Sequence, residues 1–301
     1  MIPYFEQPCI ALGPIRVCAF GAIVAVAVLA GLALGRRRFL RMGLDAKVGD
    51  GMAWHAVVWG LVGAHLFSVL FYFPREVVES PLILLRFWED ISSFGGMLGG
   101  LLGIWWYLRR KAADSQAEIE GPSHWAYADV AAYVFPFALA IGRVACSLAH
   151  DHPGTVTRFP LAVSLSSGDA QAFIADVYAG AGRGDELPPL GILATLGFHD
   201  LGWYEFVYLT VVVVPAIVLL DRRARRPGFF LGAFALLYAP VRFGLDFLRV
   251  SDARYAGLTP AQYVAGGALL AAITTLPRWV GVLPPKPQTQ PSAVGTTGIG
   301  A

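Results

Sequence analysis

The sequence has few charged residues and few cysteines for its length. Asp, Glu, Lys and Arg make up 15% of its 301 residues, too few to cover the surface of a soluble globule of this size. The net charge of only +2 argues against a nucleic-acid partner. The three cysteines, Cys9, Cys18 and Cys146, indicate neither a paired disulfide framework nor a metal site. Apolar residues are abundant at 56%, compared with roughly 45–50% in soluble domains.

These apolar residues fall into seven runs, each close to the roughly 20 residues that a helix needs to cross a hydrocarbon core. The sequence therefore predicts an all-α polytopic membrane protein with about seven transmembrane helices in a single transmembrane domain, residues 1–282. The first run follows a neutral segment without the basic n-region of a signal peptide, so we expect a retained helix. The predicted spans are 17–34, 52–73, 91–108, 125–149, 203–220, 229–248 and 261–276.

The loops between these spans alternate in charge. Lys and Arg cluster after the first, third, fifth and seventh spans, whereas the other loops carry acidic residues. Because basic loops stay in the cytoplasm, we expect the N-terminus outside and the C-terminus inside. The long loop 151–202 then forms a small extracytoplasmic cap, with extended pieces such as residues 160–165. The tail, 283–301, lacks periodicity and is expected to be disordered.

Charged side chains inside predicted spans are costly, so they mark candidate functional sites. In the sixth span, Arg242, Asp246 and Arg249 follow one another at i, i+4 and i+7, which predicts a shared helix face. Pro240 is expected to kink the same span. A structural alternative is an ion pair of Arg242 with Asp246, while Arg249 extends its charge to the interface.

The fourth span has a similar pattern at its outer end, where Arg143, Ser147 and His150 are spaced at i, i+4 and i+7. An arginine donates two hydrogen bonds to a phosphate, so two arginines from different helices are suited to clamp one phosphodiester. The structural alternative is a capping pair of Arg143 with Asp151. A metal site at His150, Asp151 and His152 is disfavoured because neighbouring side chains point in different directions.

Two further features of the spans favour helix packing. His55 and His65 lie on different faces of the second span, so we expect each to hydrogen-bond a neighbouring helix. The glycine-rich run 94–103 lets another helix or a lipid chain approach closely, and helix packing is the favoured use of most of these glycines.

Four motifs in order resemble the prolipoprotein diacylglyceryl transferase family over about residues 12–265. They are GRVACSLAHDHPG at 142–154, HDLGWYE at 199–205, YAPVRFGLDFLR at 238–249 and GLTPAQ at 257–262. The resemblance implies transfer of a diacylglyceryl group from phosphatidylglycerol, or another anionic phospholipid, to the lipobox cysteine thiol of a secretory prolipoprotein. Glycerol 1-phosphate would be released without any metal or organic cofactor. The family's location implies the bacterial inner membrane, with the active site toward the outer leaflet.

The resemblance also implies roles for residues in these motifs. Arg143 and Arg242 would hold the phospholipid headgroup and the leaving phosphate. Asp246 would fix Arg242, and Tyr238 would hydrogen-bond nearby. The other substrate-binding candidates are Arg249 and Gly154.

The catalytic candidates reflect a departure from the family's pattern. Many members carry a histidine in the third span, where this chain reads SSFGGM. His150 or His199 is therefore the expected substitute base, since an imidazole ordinarily titrates near pH 6.5. Asp151 stands at the position of the family's glutamate, and Glu205 matches the glutamate of its loop motif. The catalytic candidates are thus Asp151, His150, His199 and Glu205.

Other departures support a second hypothesis. Cys146 and Ala149 replace two asparagines of the signature, Phe20 replaces a tyrosine, and His65 replaces an arginine. Because hydrogen-bonding groups are lost, a silent or re-purposed relative that binds anionic phospholipid or uses a different acceptor is the alternative. A small transporter is a third hypothesis, and it would be favoured by an inverted repeat between the two halves, which we do not find.

Overall fold

The computed structural model describes residues 1–12, 15–86, 92–114 and 124–275. Five helical segments are long and apolar enough to cross a membrane, and they match five of the predicted spans. A polytopic, mainly helical membrane protein is therefore confirmed. The predicted tail, 283–301, lies outside the described residues. The five segments are Ala19–Arg41, Ala46–Phe71, Trp125–Ala149, Leu201–Leu220 and Phe229–Leu248.

The helices differ from the predicted spans mainly at their ends. Val17 lies in a strand, and the first helix continues to Arg41, so the basic run 36–38 is helical and not a loop. The fifth predicted span consists of two short helices joined by a π-helical turn, Leu209–Val213. The helices are α1 (Ala19–Arg41), α2 (Ala46–Phe71), α3 (Pro74–Glu79), α4 (Ser93–Asp114), α5 (His124–Ala149), α6 (Gly168–Gly180), α7 (Leu190–Leu193), α8 (Leu201–Tyr208), α9 (Val214–Leu220), α10 (Phe229–Leu245) and α11 (Pro260–Thr275).

Helices α4 and α11 occupy the third and seventh predicted spans. Neither is among the five segments that meet the length and hydropathy of a membrane span. Helix α11 has 16 residues, about 24 Å at 1.5 Å per residue, and α4 is rich in glycine and ends in charged residues. The count of seven spans therefore stays a prediction.

Helix α4 packs closely on α2 through its glycines. A Cβ atom at Gly63 would lie 2.6 Å from the carbonyl oxygen of Gly95, and one at Gly99 would lie 2.2 Å from that of Trp59. Only residues without a side chain allow this approach, which confirms helix packing as the use of the run 94–103.

The two histidines of α2 differ in their partners. His65 Nε2 lies 3.1 Å from the carbonyl oxygen of Ile83, in the short helical turn after α3. His55 Nδ1 contacts the carbonyl oxygen of Gly51 in its own helix at 2.8 Å, and its ring stacks on Tyr107 of α4. We expected His55 to hydrogen-bond a neighbouring helix, and for its Nδ1 atom this prediction is wrong, because the partner lies in α2 itself.

The cap between α5 and α8 has its own small core and is not purely helical. Strands β3 (Pro153–Thr157), β5 (Gly197–Asp200) and β4 (Val163–Ser164) form an antiparallel sheet in that order. The predicted extended piece 160–165 is therefore a strand only at its end. Leu165, Ile174 and Phe198 are fully buried between this sheet and α6, as expected for a compact apolar cluster.

Two cysteines form a disulfide near the N-terminus, contrary to the prediction. Strands β1 (Cys9–Leu12) and β2 (Ile15–Cys18) pair in antiparallel register with Cys9 opposite Cys18, and the two sulfurs are bonded. Cys146 is free and buried. The register of the hairpin determines which cysteines pair. A register of this kind has no sequence motif from which the bond could be predicted.

An ion pair joins α1 to the C-terminal end of α9. Arg38 donates two hydrogen bonds to the Asp221 carboxylate, at 2.9 and 2.6 Å. The guanidinium carbon also lies 3.5 Å from the ring centroid of Tyr133 in α5. This paired and stacked geometry suits arginine specifically, and it joins α1, α5 and α9.

Candidate active site

A cluster of buried charges lies where α5, α8 and α10 meet beneath the cap. Arg143 belongs to α5, Glu205 to α8, and Arg242 to the last turn of α10. Glu205 lies between the two arginines, with Oε2 2.8 Å from Arg143 Nε and Oε1 3.3 Å from Arg242 Nε. None of the three is more than 2% exposed. Buried charges of this kind persist only when they are paired.

Tyr238 and Asp246 complete the pairing of the arginines. The Tyr238 hydroxyl donates a short hydrogen bond to Glu205 Oε2 and accepts one from Arg143 Nη2 at 3.2 Å. Asp246 accepts a short hydrogen bond from Arg242 Nη1. The structure thus brings together Arg143, Arg242, Glu205, Asp246 and Tyr238, all of which were predicted as site residues. Two positive and two negative charges balance within the cluster.

The last of the four motifs supports this cluster from α11. The Thr259 hydroxyl donates a short hydrogen bond to Asp246 Oδ2. Gln262 accepts a hydrogen bond from the Thr259 backbone at 2.9 Å and donates one to the Phe243 carbonyl at 3.0 Å. The motif was recognised in the sequence, but the support it gives to Asp246 depends on the packing of α11 against α10.

Phe94, near the beginning of α4, contacts the cluster at Arg242. Its ring centroid is 5.0 Å from the guanidinium carbon of Arg242, within the range of a cation–π contact. Many members of the family that the four motifs resemble carry a histidine near the beginning of α4. In this chain an apolar ring contacts the arginine there.

The outer edge of the cluster consists of His152, Asp151 and Cys146. Arg143 Nη1 lies 3.2 Å from His152 Nε2 and 3.6 Å from the Cys146 sulfur. His152 Nδ1 is 2.9 Å from Asp151 Oδ1. Burial alone would raise the pKa of Asp151, but the contact with His152 and the charge of Arg143 hold this pKa below its ordinary value. Asp151 thus contacts the cluster through His152, a residue that was predicted from the sequence neither as a base nor as a substrate ligand.

The same three residues are spaced like metal ligands. The ligand atoms of Cys146, Asp151 and His152 lie within 4.8 Å of one another. However, Arg143 Nη1 contacts two of them, and a guanidinium does not lose its proton in proteins. Its fixed positive charge opposes a bound cation.

His150 and His199, the predicted bases, have other partners. His150 Nδ1 lies 2.6 Å from Asp200 Oδ2, and Nε2 lies 3.1 Å from the Phe5 carbonyl oxygen. His199 Nδ1 lies 2.9 Å from the Tyr204 hydroxyl, and burial lowers the pKa of His199. In the part of the chain that the structure describes, neither ring has a recorded hydrogen bond to an arginine of the cluster.

Helix ends explain why two predicted helix faces are wrong. Helix α5 ends at Ala149, and His150 has a positive φ of 48°, so its ring turns away from the face of Arg143. Helix α10 ends at Leu245 and is followed by a 3₁₀ turn, after which Arg249 is extended. The regular i+7 spacing therefore stops before it reaches either residue.

Arg249 and Gly154 join the cap to the end of α10. Arg249 Nη2 pairs with Asp252 Oδ1 at 2.9 Å, and the backbones of Gly154 and Arg249 form an isolated antiparallel bridge. A Cβ atom at Gly154 would lie 2.9 Å from His199 Cβ and 3.0 Å from the Leu248 carbonyl oxygen. Glycine is therefore needed at 154 for this close approach, and these two residues border the cluster.

Comparison with known proteins places this geometry in context. A sequence model of the family described as prolipoprotein diacylglyceryl transferase matches residues 7–277. A relative from Chromohalobacter salexigens is 28% identical over 269 residues, covering 89% of this chain and 88% of the relative. One from Pseudomonas aeruginosa is 25% identical over 284 residues, covering 91% and 93%. One from Pseudomonas syringae is 26% identical over 277 residues, covering 90% of each. All three are named phosphatidylglycerol–prolipoprotein diacylglyceryl transferase.

Proposed function

The chain belongs to the prolipoprotein diacylglyceryl transferase family, and from this premise we propose that it transfers the diacylglyceryl group of phosphatidylglycerol to the lipobox cysteine thiol of secretory prolipoproteins. Glycerol 1-phosphate is the second product. One observation carries the proposal at the level of residues: two buried arginines from different helices share one carboxylate. Transferase relatives that align with 89% and 91% of the chain favour this reaction over a silent lipid-binding relative.

The arginine pair fits the main electrostatic demand of the reaction. When the carbon–oxygen bond to the phosphate breaks, negative charge grows on the leaving phosphate. Cations that are already in position stabilise this charge without reorganisation. Arg143 and Arg242 are held by Glu205, while Tyr238 and Asp246 hold them from the sides. We assign both guanidinium groups to the phosphate of phosphatidylglycerol.

The thiol supplies the nucleophile. Its proton must be removed, because the thiolate and not the thiol attacks. A sulfur–carbon bond forms at the glyceryl carbon, the bond from that carbon to the phosphate oxygen breaks, and the electron pair stays on the oxygen. The site residues proposed for this chemistry are Arg143, Arg242, Glu205, Asp246, Tyr238 and Asp151, bordered by Arg249 and Gly154.

We also propose an N-out, C-in topology with α4 and α11 as two further spans, giving seven. The disulfide of Cys9 and Cys18 favours an extracytoplasmic N-terminus because disulfides persist in oxidising compartments. The basic ends of α1 and α4 and the run 221–226 favour the cytoplasmic side. Since α5 runs from that side toward Arg143, the site then faces the outer leaflet of the inner membrane.

Complementation in a bacterium depleted of its own diacylglyceryl transferase tests the proposal. We expect the native chain to restore growth, and Arg143→Ala and Arg242→Ala to fail. Arg158→Ala is the matched control, because this arginine is exposed on the cap and we expect it to complement. Immunoblots of membrane fractions establish that each variant is inserted.

Purified protein separates the alternatives. We expect release of glycerol 1-phosphate from phosphatidylglycerol vesicles only when a lipobox peptide is present. Removal of one such donor typically lowers turnover about 10²–10³-fold, and we expect at least this loss for each arginine variant. Lipid binding without product release by the native chain would instead favour the silent relative, and release that requires another acceptor would favour a re-purposed enzyme.

A further inference from the structure

His152 lies at the boundary between the buried arginine cluster and the exterior. Its side chain is 12% exposed, whereas that of Arg143 beneath it is 2% exposed. One ring nitrogen faces the guanidinium of Arg143 at 3.2 Å, and the other faces the carboxylate of Asp151 at 2.9 Å. The side chain of His152 is thus more accessible than that of Arg143.

These partners determine where the ring proton lies. A guanidinium has only donors, so the Nε2 atom that faces Arg143 must be the acceptor. The proton of the neutral ring then belongs to Nδ1, which lies 2.9 Å from Asp151 Oδ1 without a well-aligned hydrogen bond to it. A carboxylate beside one nitrogen orients the ring, and the lone pair on the other lets the histidine act as a general base once Arg143 no longer occupies it.

From this geometry we infer that His152 is the base that takes the proton of the acceptor thiol, that Asp151 positions it, and that Arg143 releases it when the phosphodiester binds. The inference rests on the proposed function, which it deepens. It assigns the base to a residue other than His150 or His199, whose described contacts are within the cap and the start of α8.

The contacts of the three Arg143 nitrogens explain how phosphate binding is coupled to the release of His152. Nε faces Glu205 and Nη2 donates to Tyr238, while Nη1 contacts only the imidazole and the thiol of Cys146 among the contacts described. An arginine–phosphate contact joins two opposite charges and is often bidentate, so it is stronger than a contact of the guanidinium with a neutral imidazole or thiol. A phosphate oxygen therefore draws Nη1 away from its neutral partners most easily, and this frees the Nε2 lone pair beside the bound phosphate.

Charged groups of both signs surround His152, with Arg143 on one side of the ring and Asp151 on the other. Asp151 remains a carboxylate because its pKa is held below the ordinary value. Two further carboxylates have partners of their own, since Glu205 is paired with the two arginines and Asp252 with Arg249. The titratable and charged groups that face His152 are Arg143, Cys146, Asp151, Glu205 and Asp252.

The thiol proton passes through His152 to the leaving product or to water. The thiol proton moves to His152 Nε2 as the sulfur–carbon bond forms, and the carbon–oxygen bond breaks with its electron pair on the phosphate oxygen. The leaving glycerol 1-phosphate, or water, then takes the proton from the imidazolium. No oxidant, reductant or further co-reactant is needed.

The test compares purified native enzyme with His152→Gln in phosphatidylglycerol vesicles that contain a lipobox peptide, from pH 6 to 9. We expect kcat to fall about 10²–10⁴-fold, the usual contribution of a general base, while KM for phosphatidylglycerol changes less than about threefold. The residual rate should rise with pH up to the ordinary thiol pKa of about 8.5, because only spontaneous ionisation then supplies the thiolate. The native enzyme should lack this steep rise. His55→Gln, remote from the site on α2, is the matched control.

The outcomes separate this inference from the proposed function. An active native enzyme together with His152→Gln that keeps kcat within threefold, or keeps the native pH profile, overturns the assignment of the base alone. A kcat loss in His150→Gln or His199→Gln that His152→Gln does not share overturns it too. An inactive native enzyme overturns both proposals. If His152→Gln does not fold, Asp151→Asn decides: we expect a lower kcat, an altered pH profile and an unchanged KM, and native values for all three would refute the inference.

Discussion

The carboxylate of Glu205 is the most informative single group to remove. Glu205→Gln keeps the size and shape of the side chain but deletes the charge that lies between Arg143 and Arg242. The two guanidinium groups then face each other without the carboxylate they share. Because all three side chains are buried, water does not compensate for the lost charge.

The expected cost is large. At an effective dielectric constant of about 20, two unit charges 4 Å apart attract by about 4 kcal/mol. Removing one partner of a buried ion pair typically costs about 3–5 kcal/mol in the free energy of unfolding. At roughly 2–4 °C for each kcal/mol in a chain of this size, we expect the melting temperature to fall by about 10 °C.

Anionic lipid should reverse part of this loss. If both arginines bind the phosphate, phosphatidylglycerol supplies the missing negative charge and stabilises the folded state by mass action. We therefore expect phosphatidylglycerol to raise the melting temperature of Glu205→Gln more than that of the native protein. Phosphatidylethanolamine, which has no net charge, should raise it little.

Thermal unfolding in detergent, followed by tryptophan fluorescence with and without each lipid, measures both effects. Glu186→Gln is the matched control, because it also removes the carboxylate of an Arg–Glu pair. Here, however, Glu186 is exposed and Arg183 only half-buried, and such pairs contribute little. A native melting temperature in Glu205→Gln would refute the electrostatic reasoning. Equal protection of both proteins by phosphatidylglycerol would refute the assignment of the arginines to its phosphate.

Three further predictions test other parts of the molecule. Gly99→Ala should abolish stable folding, because its Cβ atom would lie 2.2 Å from a carbonyl oxygen of α2; Gly267→Ala, with open space around it, should melt at the native temperature. In intact cells a membrane-impermeant maleimide should label Cys9 and Cys18 only after reduction; labelling without reduction would contradict the disulfide, and no labelling after reduction would contradict an outward N-terminus. Because burial lowers the pKa of His199 below 6.5, protonation favours the unfolded chain. The melting temperature of the native protein should therefore fall more steeply below about pH 6.5 than that of His199→Gln, and parallel curves would contradict this.

The site residues that were easiest to predict from the sequence are those whose signal is local. Arg143 and Arg242 are notable in the sequence because charges in apolar runs are rare, and the structure brings them together. Their common partner, Glu205, was recognised only through a motif, because its pairing depends on how α8 packs against two other helices. The support that Thr259 gives to Asp246 has the same origin.

The predictions that were wrong depended on helix ends and on register. Helical spacing placed His150 beside Arg143, but one residue with positive φ after α5 turns its ring away, and His152 contacts the arginine instead. A disulfide between Cys9 and Cys18 depends on the pairing of two short strands. Such features involve one or two residues, so they leave no periodic pattern in the sequence.

The amino-acid sequence by itself determined that this chain is a helical membrane protein, because the length and composition of apolar runs decide which segments leave water. It also determined the family, since four motifs retain their order along the chain. Only the tertiary structure decided which carboxylate the two arginines share and which histidine contacts them. Those contacts join residues far apart in sequence, or lie beyond a helix end, where a single backbone angle redirects the side chain.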